Sequence, residues 1–151
     1  MKSEPSAYSF DDLKGEEEMT AEWDGVRNYA ARNNMQAMKV GDGILFYHSQ
    51  CKPPAVVGTA VVVKEAYPDD TAWDPASEHP DPRSTPEKPV WYMVDIKADS
   101  DMSVPVTLQQ IKATPELSQM ALVKLSRLSV SPVTEDEWKT IVGMGGPRRI
   151  G

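Results

Sequence analysis

The chain has 151 residues, of which 40% are hydrophobic, so it is long enough for one domain with a packed core, and its composition excludes intrinsic disorder. Its net charge of −7 and pI of about 4.8 argue against strong, sequence-blind binding to nucleic-acid backbones. No apolar run approaches the roughly 20 residues of a membrane helix. The single cysteine, Cys51, favours a reducing compartment. We expect one domain over residues 1–146, a disordered tail over 147–151, and a location in the cytoplasm, or in the nucleus of a eukaryote.

Two helices are predicted near the N-terminus. Ser9, followed three residues later by Asp12, is a capping box that predicts one helical turn. Asp24 predicts the start of a longer helix, because its carboxylate can accept hydrogen bonds from first-turn N–H groups. Asn33 and Asn34 are expected to end that helix. Four residues recur at helical spacing and are expected to share one face of it: Val26, Tyr29, Ala30 and Asn33.

Four segments have the apolar or alternating pattern of β-strands: 44–49, 56–65, 90–96 and 125–130. The first two are expected to form an antiparallel pair. Near the C-terminus, Thr134 and Glu137 form a second capping box and predict another helix. Short strands interleaved with short helices predict an α+β fold, a small mixed β-barrel with short helices packed around it.

A segment rich in proline and aspartate, 67–89, separates the second and third predicted strands. It is much longer than an ordinary connection, which indicates a functional loop. Within it, Trp73 and Asp74 follow one another. The tryptophan is expected either to anchor the loop on the core or to cover a ligand pocket.

Catalytic and metal-binding patterns are weak in this sequence. His48 and Ser49 are neighbours on a predicted strand, so their side chains point to opposite faces. Cys51 has no second cysteine to pair with, and two histidines and one cysteine give no zinc-ligand spacing. No glycine-rich phosphate loop is present. We expect no enzymatic activity, no metal and no cofactor.

Aromatic and hydrogen-bonding side chains are the chemistry that remains. The aromatic candidates are Trp23, Tyr29, Tyr47 and Trp73, and the polar candidates are Asn28, Asn33, Ser49 and Asp74. Stacking combined with hydrogen bonds to a base edge is how proteins hold an unstacked nucleobase. The combination predicts a small pocket between the helix and the end of the first long strand.

Long, ordered strings in the sequence closely resemble the EVE domain family. They are Lys2-Ser3-Glu4-Pro5, Trp23-Asp24-Gly25-Val26-Arg27-Asn28-Tyr29, Phe46-Tyr47-His48-Ser49, Thr71-Ala72-Trp73-Asp74, Lys88-Pro89-Val90-Trp91 and Ser126-Arg127-Leu128-Ser129-Val130. The resemblance covers essentially the whole chain. It implies a PUA-like fold, related to YTH domains that hold a methylated base in an aromatic cage, and a non-catalytic reader of modified bases.

The same resemblance implies roles for individual residues. Trp23 and Trp73 match the two cage tryptophans, and Lys2-Ser3 matches the pair at the end of the first strand. Family members usually carry a few more residues before this pair, so the first strand is expected to be truncated. Lys2 and Arg27 are expected to contact phosphates.

The full set of candidate ligand-binding residues is Lys2, Ser3, Trp23, Arg27, Asn28, Tyr29, Tyr47, His48, Ser49, Trp73 and Asp74. The expected partner is modified DNA or RNA that presents a single-stranded or flipped base, with no membrane involved. Two alternatives stay open. One is an enzyme that acts on modified nucleic acid, and the other is a protein-interaction domain that uses the proline-rich loop.

Overall fold

The computed structural model describes residues 1–150 and contains a mixed sheet with short helices packed on it. The strands are β1 (Lys2–Ser3), β2 (Thr20–Glu22), β3 (Gly43–His48), β4 (Ala55–Pro68), β5 (Tyr92–Thr107) and β6 (Pro147–Arg149). The α-helices are α1 (Phe10–Lys14), α2 (Tyr29–Gln36), α3 (Leu108–Lys112), α4 (Ala121–Lys124) and α5 (Glu135–Gly145). Short 3₁₀ turns occupy Glu17–Met19, Asp70–Trp73 and Pro115–Leu117.

The six strands form one open sheet in the order β1-β3-β4-β5-β2, with β6 also paired to β5. β1 is parallel to β3, and the other pairs are antiparallel. The predicted α+β class is confirmed. The predicted closed barrel is not formed, because the path of hydrogen-bonded strands ends at β1 and β2 and no pairing within residues 1–150 joins them.

Two predictions about the C-terminal part of the chain are wrong. Segment 125–130 is an irregular loop, although its alternating pattern favoured a strand. Its backbone link to the sheet is a hydrogen bond from the Lys2 N–H to the Ser129 carbonyl, 2.9 Å long. The expected disordered tail instead begins with β6, whose residues pair with Ser100 to Met102 of β5.

Both predicted capping boxes are present, at Ser9 and at Thr134. The predicted start of α2 at Asp24 is wrong, because the backbone at Gly25 has a φ of +77°, which a helix cannot accommodate. The N-cap is Asn28, whose Oδ1 accepts from the Ala31 N–H at 2.9 Å.

Helix α2 also ends later and faces the core differently than predicted. It continues past the two asparagines to Gln36, and its buried residues are Ala31 and Met35. Of the residues predicted to share a face, Val26 precedes the helix. The other three, Tyr29, Ala30 and Asn33, are exposed.

The core has two parts, one on each side of β3. Ile44 and Phe46 belong to the cluster beneath α1 and α2, whereas Leu45 and Tyr47 belong to the cluster beneath α5. This alternation buries β3 on both sides, as its apolar sequence predicted. It also fixes the end of β3 firmly beside β1. No helix within residues 1–150 has the length and apolar character needed to cross a bilayer.

Candidate nucleic-acid interface

A cleft of about 820 Å³ opens where β1 and the end of β3 meet the loop at 125–129. It is lined by Lys2, Glu4, Ser49, Gln50, Ser126, Arg127 and Ser129. A second hollow, of about 390 Å³, shares Ser126 and Arg127 with the first. It continues to the start of α2 and is completed by Asn28, Ala30, Leu125 and Leu128. Because the two hollows share Ser126 and Arg127 as lining residues, we treat them as one surface, the β1–α2 cleft.

The parallel pairing of β1 with β3 builds one wall of the cleft. Lys2 lies opposite Tyr47 and Ser3 opposite His48, and the Ser49 N–H donates to the Ser3 carbonyl at 2.9 Å. The Lys2 ammonium crosses to the other wall and donates to the Ser126 carbonyl. Partial burial lowers the pKa of Lys2. The predicted residues Lys2 and Ser49 therefore both line the cleft. β1 lies on one side of the cleft and the 125–129 loop lies on the other.

The cleft combines positive charge, polar groups and apolar surface. None of the ion pairs within residues 1–150 uses Lys2 or Arg127. At the far end, the N-terminus of α2 adds the positive end of a helix dipole. Leu125, which is 54% exposed, provides apolar surface there. Such a set can contact phosphates and also recognise the edge and face of a base.

Three predicted site residues support the cleft from behind. Tyr47 is only 5% exposed and packs in the second core cluster. The Nε2 atom of His48 accepts from the Phe10 N–H at 3.0 Å, and burial lowers the pKa of His48. The Ser3 hydroxyl donates to the carbonyl of Tyr8. These contacts hold the end of β3 and the chain after β1 in place.

Arg27 links the chain before α2 to the proline-rich loop through Asp69, and we call this pair of residues the tether. The Arg27 guanidinium is 2.9 Å from the Asp69 carboxylate and donates to the His79 carbonyl. The Asp69 side chain is completely buried and also accepts from the N–H groups of Gly25, at 2.8 Å, and Thr71, at 3.0 Å. Burial alone favours the neutral acid, but the hydrogen bonds from Thr71, Arg27 and Gly25 outweigh it and hold the pKa of Asp69 below its ordinary value.

The two tryptophans assigned to a cage lie in different surroundings. Trp23 is partly buried and meets Tyr8 and Phe46 edge to face, with ring centroids 6.0 and 5.5 Å apart. Trp73 ends a 3₁₀ turn in the proline-rich loop and is partly exposed. No ring contact within residues 1–150 joins the two. Asp74, beside Trp73, accepts from the Ala76 N–H at 2.9 Å and shapes the loop.

Tyr29 lies outside the cleft, on the exposed side of α2. Its ring is 51% exposed and stacks on Trp91, with centroids 4.9 Å apart and planes inclined by 30°. The guanidinium carbon of Arg32 is 5.0 Å from the Tyr29 centroid. Asn28, one residue earlier, lines the cleft. The start of α2 therefore contributes Asn28 to the cleft and Tyr29 to the exposed surface beside it.

Several residues that shape these surfaces were missed by the sequence reasoning. Ser126 and Arg127 belong to one of the family strings, which was a usable signal, but the alternating pattern placed them on a strand. Trp91 also belongs to a family string. Asp69 caps the 3₁₀ turn at Asp70–Trp73, but its pairing with Arg27, which is distant in the sequence, has no local signal. Within residues 1–150, no group of three or more His, Cys, Asp or Glu side chains is arranged to hold a metal ion.

Comparisons with known proteins agree over almost the full length of the chain. Thymocyte nuclear protein 1 of mouse is 40% identical over 161 residues, which cover 95% of this chain and 71% of that protein. A solved structure of a hypothetical protein from Leishmania major has 51% identity and a TM-score of 0.91, covering 97% of this chain and 92% of that one. Human thymocyte nuclear protein 1, solved in complex with 5-methylcytosine-containing DNA, has 38% identity and a TM-score of 0.92, covering 96% of this chain and 95% of that one. The EVE domain model matches residues 1–144, and the chain belongs to the EVE domain family.

Proposed function

We propose that this chain is a non-catalytic nucleic-acid-binding module that captures a modified base of DNA or RNA in the β1–α2 cleft. The observation that carries the proposal is the likeness to human thymocyte nuclear protein 1, which was solved with 5-methylcytosine-containing DNA. That likeness extends over 96% of this chain at a TM-score of 0.92. The family resemblance also implies a PUA-like arrangement of the strands, which we include in the proposal.

The cleft offers a separate chemical role for each part of a nucleotide. Lys2 and Arg127 can neutralise phosphates, which positions the strand without reading sequence. Asn28 uses its Oδ1 for the helix cap, so its Nδ2 group remains a donor for a base edge. The Ser49 hydroxyl can both donate and accept. Neither Trp23 nor Trp73 lines the two hollows. Trp73, which is partly exposed, is proposed as an aromatic contact to the base from outside them, and Trp23, which packs on Phe46, as a support.

The charge of the whole chain supports base capture rather than backbone binding. At a net charge of −7, the protein repels a polyanion at long range. Affinity must then come from short-range contacts with one nucleotide, and discrimination must come from the base. This predicts weak binding to unmodified duplex.

Fluorescence anisotropy with matched oligonucleotides tests the proposal. Single strands and duplexes that carry one 5-methylcytosine are compared with the same sequences carrying cytosine, and further base modifications complete the panel. We expect tighter binding to at least one modified oligonucleotide than to its unmodified match. Asn28→Ser, which keeps a side-chain cap, should reduce this discrimination more than total affinity.

Two further variants separate positioning from base reading. Arg127→Ala should weaken binding to modified and unmodified strands by the same factor. Arg148→Ala removes an exposed arginine on β6 and should leave binding unchanged. Equal affinity for every modified and unmodified pair would refute base capture. Chemical conversion of the oligonucleotide would instead establish the enzyme alternative.

A further inference from the structure

An aromatic stack on α2 lies outside the β1–α2 cleft and has no part in the function proposed above. We call Tyr29, Trp91 and Arg32 together the Tyr29 platform. Tyr29 is the outer ring, 51% exposed, and Trp91 is the inner ring, 2% exposed. An aromatic ring left half exposed at a helix start, against a second ring inclined to it by 30°, offers a surface for a flat ligand.

The distances show that Arg32 does not cover the outer face of Tyr29. The Tyr29 and Trp91 centroids are 4.9 Å apart, and the Arg32 guanidinium carbon is 5.0 Å from the first and 5.9 Å from the second. These three distances describe a nearly equilateral triangle. Arg32 therefore lies beside the stack. If it covered the outer face of Tyr29, it would be nearly two stacking distances from Trp91.

The inner ring is fixed, so the platform is already formed before any ligand arrives. The Trp91 Nε1–H donates to the Asp81 carboxylate at 2.7 Å. The Arg27 guanidinium carbon lies 5.8 Å from the Trp91 ring. Tyr29 is held from behind by a buried ring that cannot move away, which lowers the entropy cost of stacking.

Arg32 supplies a positive charge at the edge of the platform. Its guanidinium donates to the Val90 carbonyl and to the Asn33 amide oxygen, each at 2.9 Å. No carboxylate within residues 1–150 forms an ion pair with it. The charge is thus held in one place and left uncompensated, as a phosphate contact requires.

The platform continues directly from the cleft. Asn28 and Ala30 line the cleft, and Tyr29 lies between them in the first turn of α2. A strand whose modified base occupies the cleft would pass this turn with its neighbouring nucleotide. Aromatic rings with an adjacent cation are how proteins hold single-stranded nucleic acid without sequence preference.

We propose that the outer face of Tyr29 stacks an unpaired base next to the modified base captured in the cleft, with Arg32 beside the phosphate of that nucleotide. The inference rests on the proposed function and adds a ligand class to it. The preferred ligand is a modified base with a single-stranded or locally unpaired neighbour. A fully paired neighbour cannot lie flat on Tyr29.

The test compares four ligands with the intact chain. They are 5-methyl-2′-deoxycytidine monophosphate, a nine-nucleotide single strand with one central 5-methylcytosine, and two versions of that strand with one abasic nucleotide, either 5′ or 3′ of the 5-methylcytosine. Tyr29→Ala should weaken binding of the nine-nucleotide strand by about 5- to 150-fold, the range for loss of one stacked base. Tyr29→Phe should bind as the parent does, because the ring rather than the hydroxyl makes the contact. Val104→Ala, which shortens another exposed apolar side chain, is the control for surface truncation.

Two internal comparisons make the outcome specific. Tyr29→Ala should leave binding of the mononucleotide unchanged. The parent should bind one of the two abasic strands with the same reduced affinity that Tyr29→Ala has for the complete strand. The affinity of Tyr29→Ala for that abasic strand should be no lower than its affinity for the complete strand. Equal weakening of mononucleotide and strand would place Tyr29 in the cleft and overturn this inference while leaving base capture intact. Unchanged affinity of Tyr29→Ala for the strand would also overturn it. Failure of the parent to bind any of the four ligands would refute capture of 5-methylcytosine and would overturn this inference with it, whereas the wider panel of modifications tests the proposed function.

Discussion

Replacing Asp69 by alanine is predicted to destabilise the protein strongly. The carboxylate is completely buried and accepts from the guanidinium of Arg27 at 2.9 Å, from the Gly25 N–H at 2.8 Å and from the Thr71 N–H at 3.0 Å. Asp69→Ala removes the acceptor of these three donors, and of the Thr71 hydroxyl, at once. It leaves a guanidinium whose side chain is 20% exposed without its counter-charge.

The size of the effect follows from these contacts. Removing one partner of a buried ion pair costs about 3–5 kcal/mol, because the other charge stays buried and unpaired. A chain of about this length loses roughly 2–4 °C of melting temperature for each kcal/mol. Asp69→Ala is therefore expected to melt about 6–20 °C below the parent. Asp70→Ala is the matched control, since the neighbouring aspartate is exposed and should cost less than about 2 °C.

Thermal unfolding followed by circular dichroism measures this difference. If the cost comes from the unpaired Arg27 charge, Asp69→Leu combined with Arg27→Met should melt above Asp69→Leu alone. Hydrogen exchange should also rise in residues 70–80 of Asp69→Ala. A melting temperature within 2 °C of the parent would show that the tether does not hold the loop, and the reasoning would fail.

Four further predictions concern individual residues. Burial lowers the pKa of His48, whose Nε2 accepts from the Phe10 N–H. The neutral imidazole therefore contributes stability that is fully present above the unfolded pKa of 6.5 and is lost as pH falls through the folded pKa. Below pH 6.5 the melting temperature should drop less steeply in His48→Gln than in the parent. Trp23→Ala should lower the melting temperature, because this ring packs on Phe46. Normal melting of Trp23→Ala would contradict its anchoring role. Trp73→Ala should melt nearly as the parent does and lose about 1–3 kcal/mol of binding free energy for the modified oligonucleotide. Affinity should fall with added salt, with a shallower slope in Arg127→Ala, and an unchanged slope would exclude that arginine from phosphate contact.

Local chemistry was enough to predict the helix caps of α1 and α5 but not the start of α2. A capping box is a contact between residues three apart, so its outcome depends little on the rest of the fold. Asp24 and Asn28 are both good N-cap residues, and local rules cannot choose between them. Gly25 decides, because its positive φ turns the chain so that its N–H reaches Asp69.

The errors at 125–130 and in the tail have one cause. A segment becomes a strand only when it forms backbone hydrogen bonds with another strand, and that partner is distant in the sequence. Alternation in 125–130 was correct for a strand, but β1 is only two residues long and offers that segment a single backbone contact through Lys2. Conversely, residues 147–149 have no strand-like pattern, yet they complete the edge of β5. Of the predicted ligand-binding residues, Lys2, Asn28 and Ser49 lie along the cleft, and their contact with a ligand stays a prediction. The Tyr29 platform could not be predicted locally, because it depends on Trp91, which is distant in the sequence.

The measurement that tests the central claim most directly is an NMR titration of the isotope-labelled chain with a single strand that carries one 5-methylcytosine. Base capture in the β1–α2 cleft predicts large shift changes at the amides of Lys2, Asn28, Ser49 and Ser126 to Leu128. The unmodified strand should give much smaller changes at the same amides. Shifts confined to the proline-rich loop at 69–89, or equal shifts with both strands, would contradict the claim.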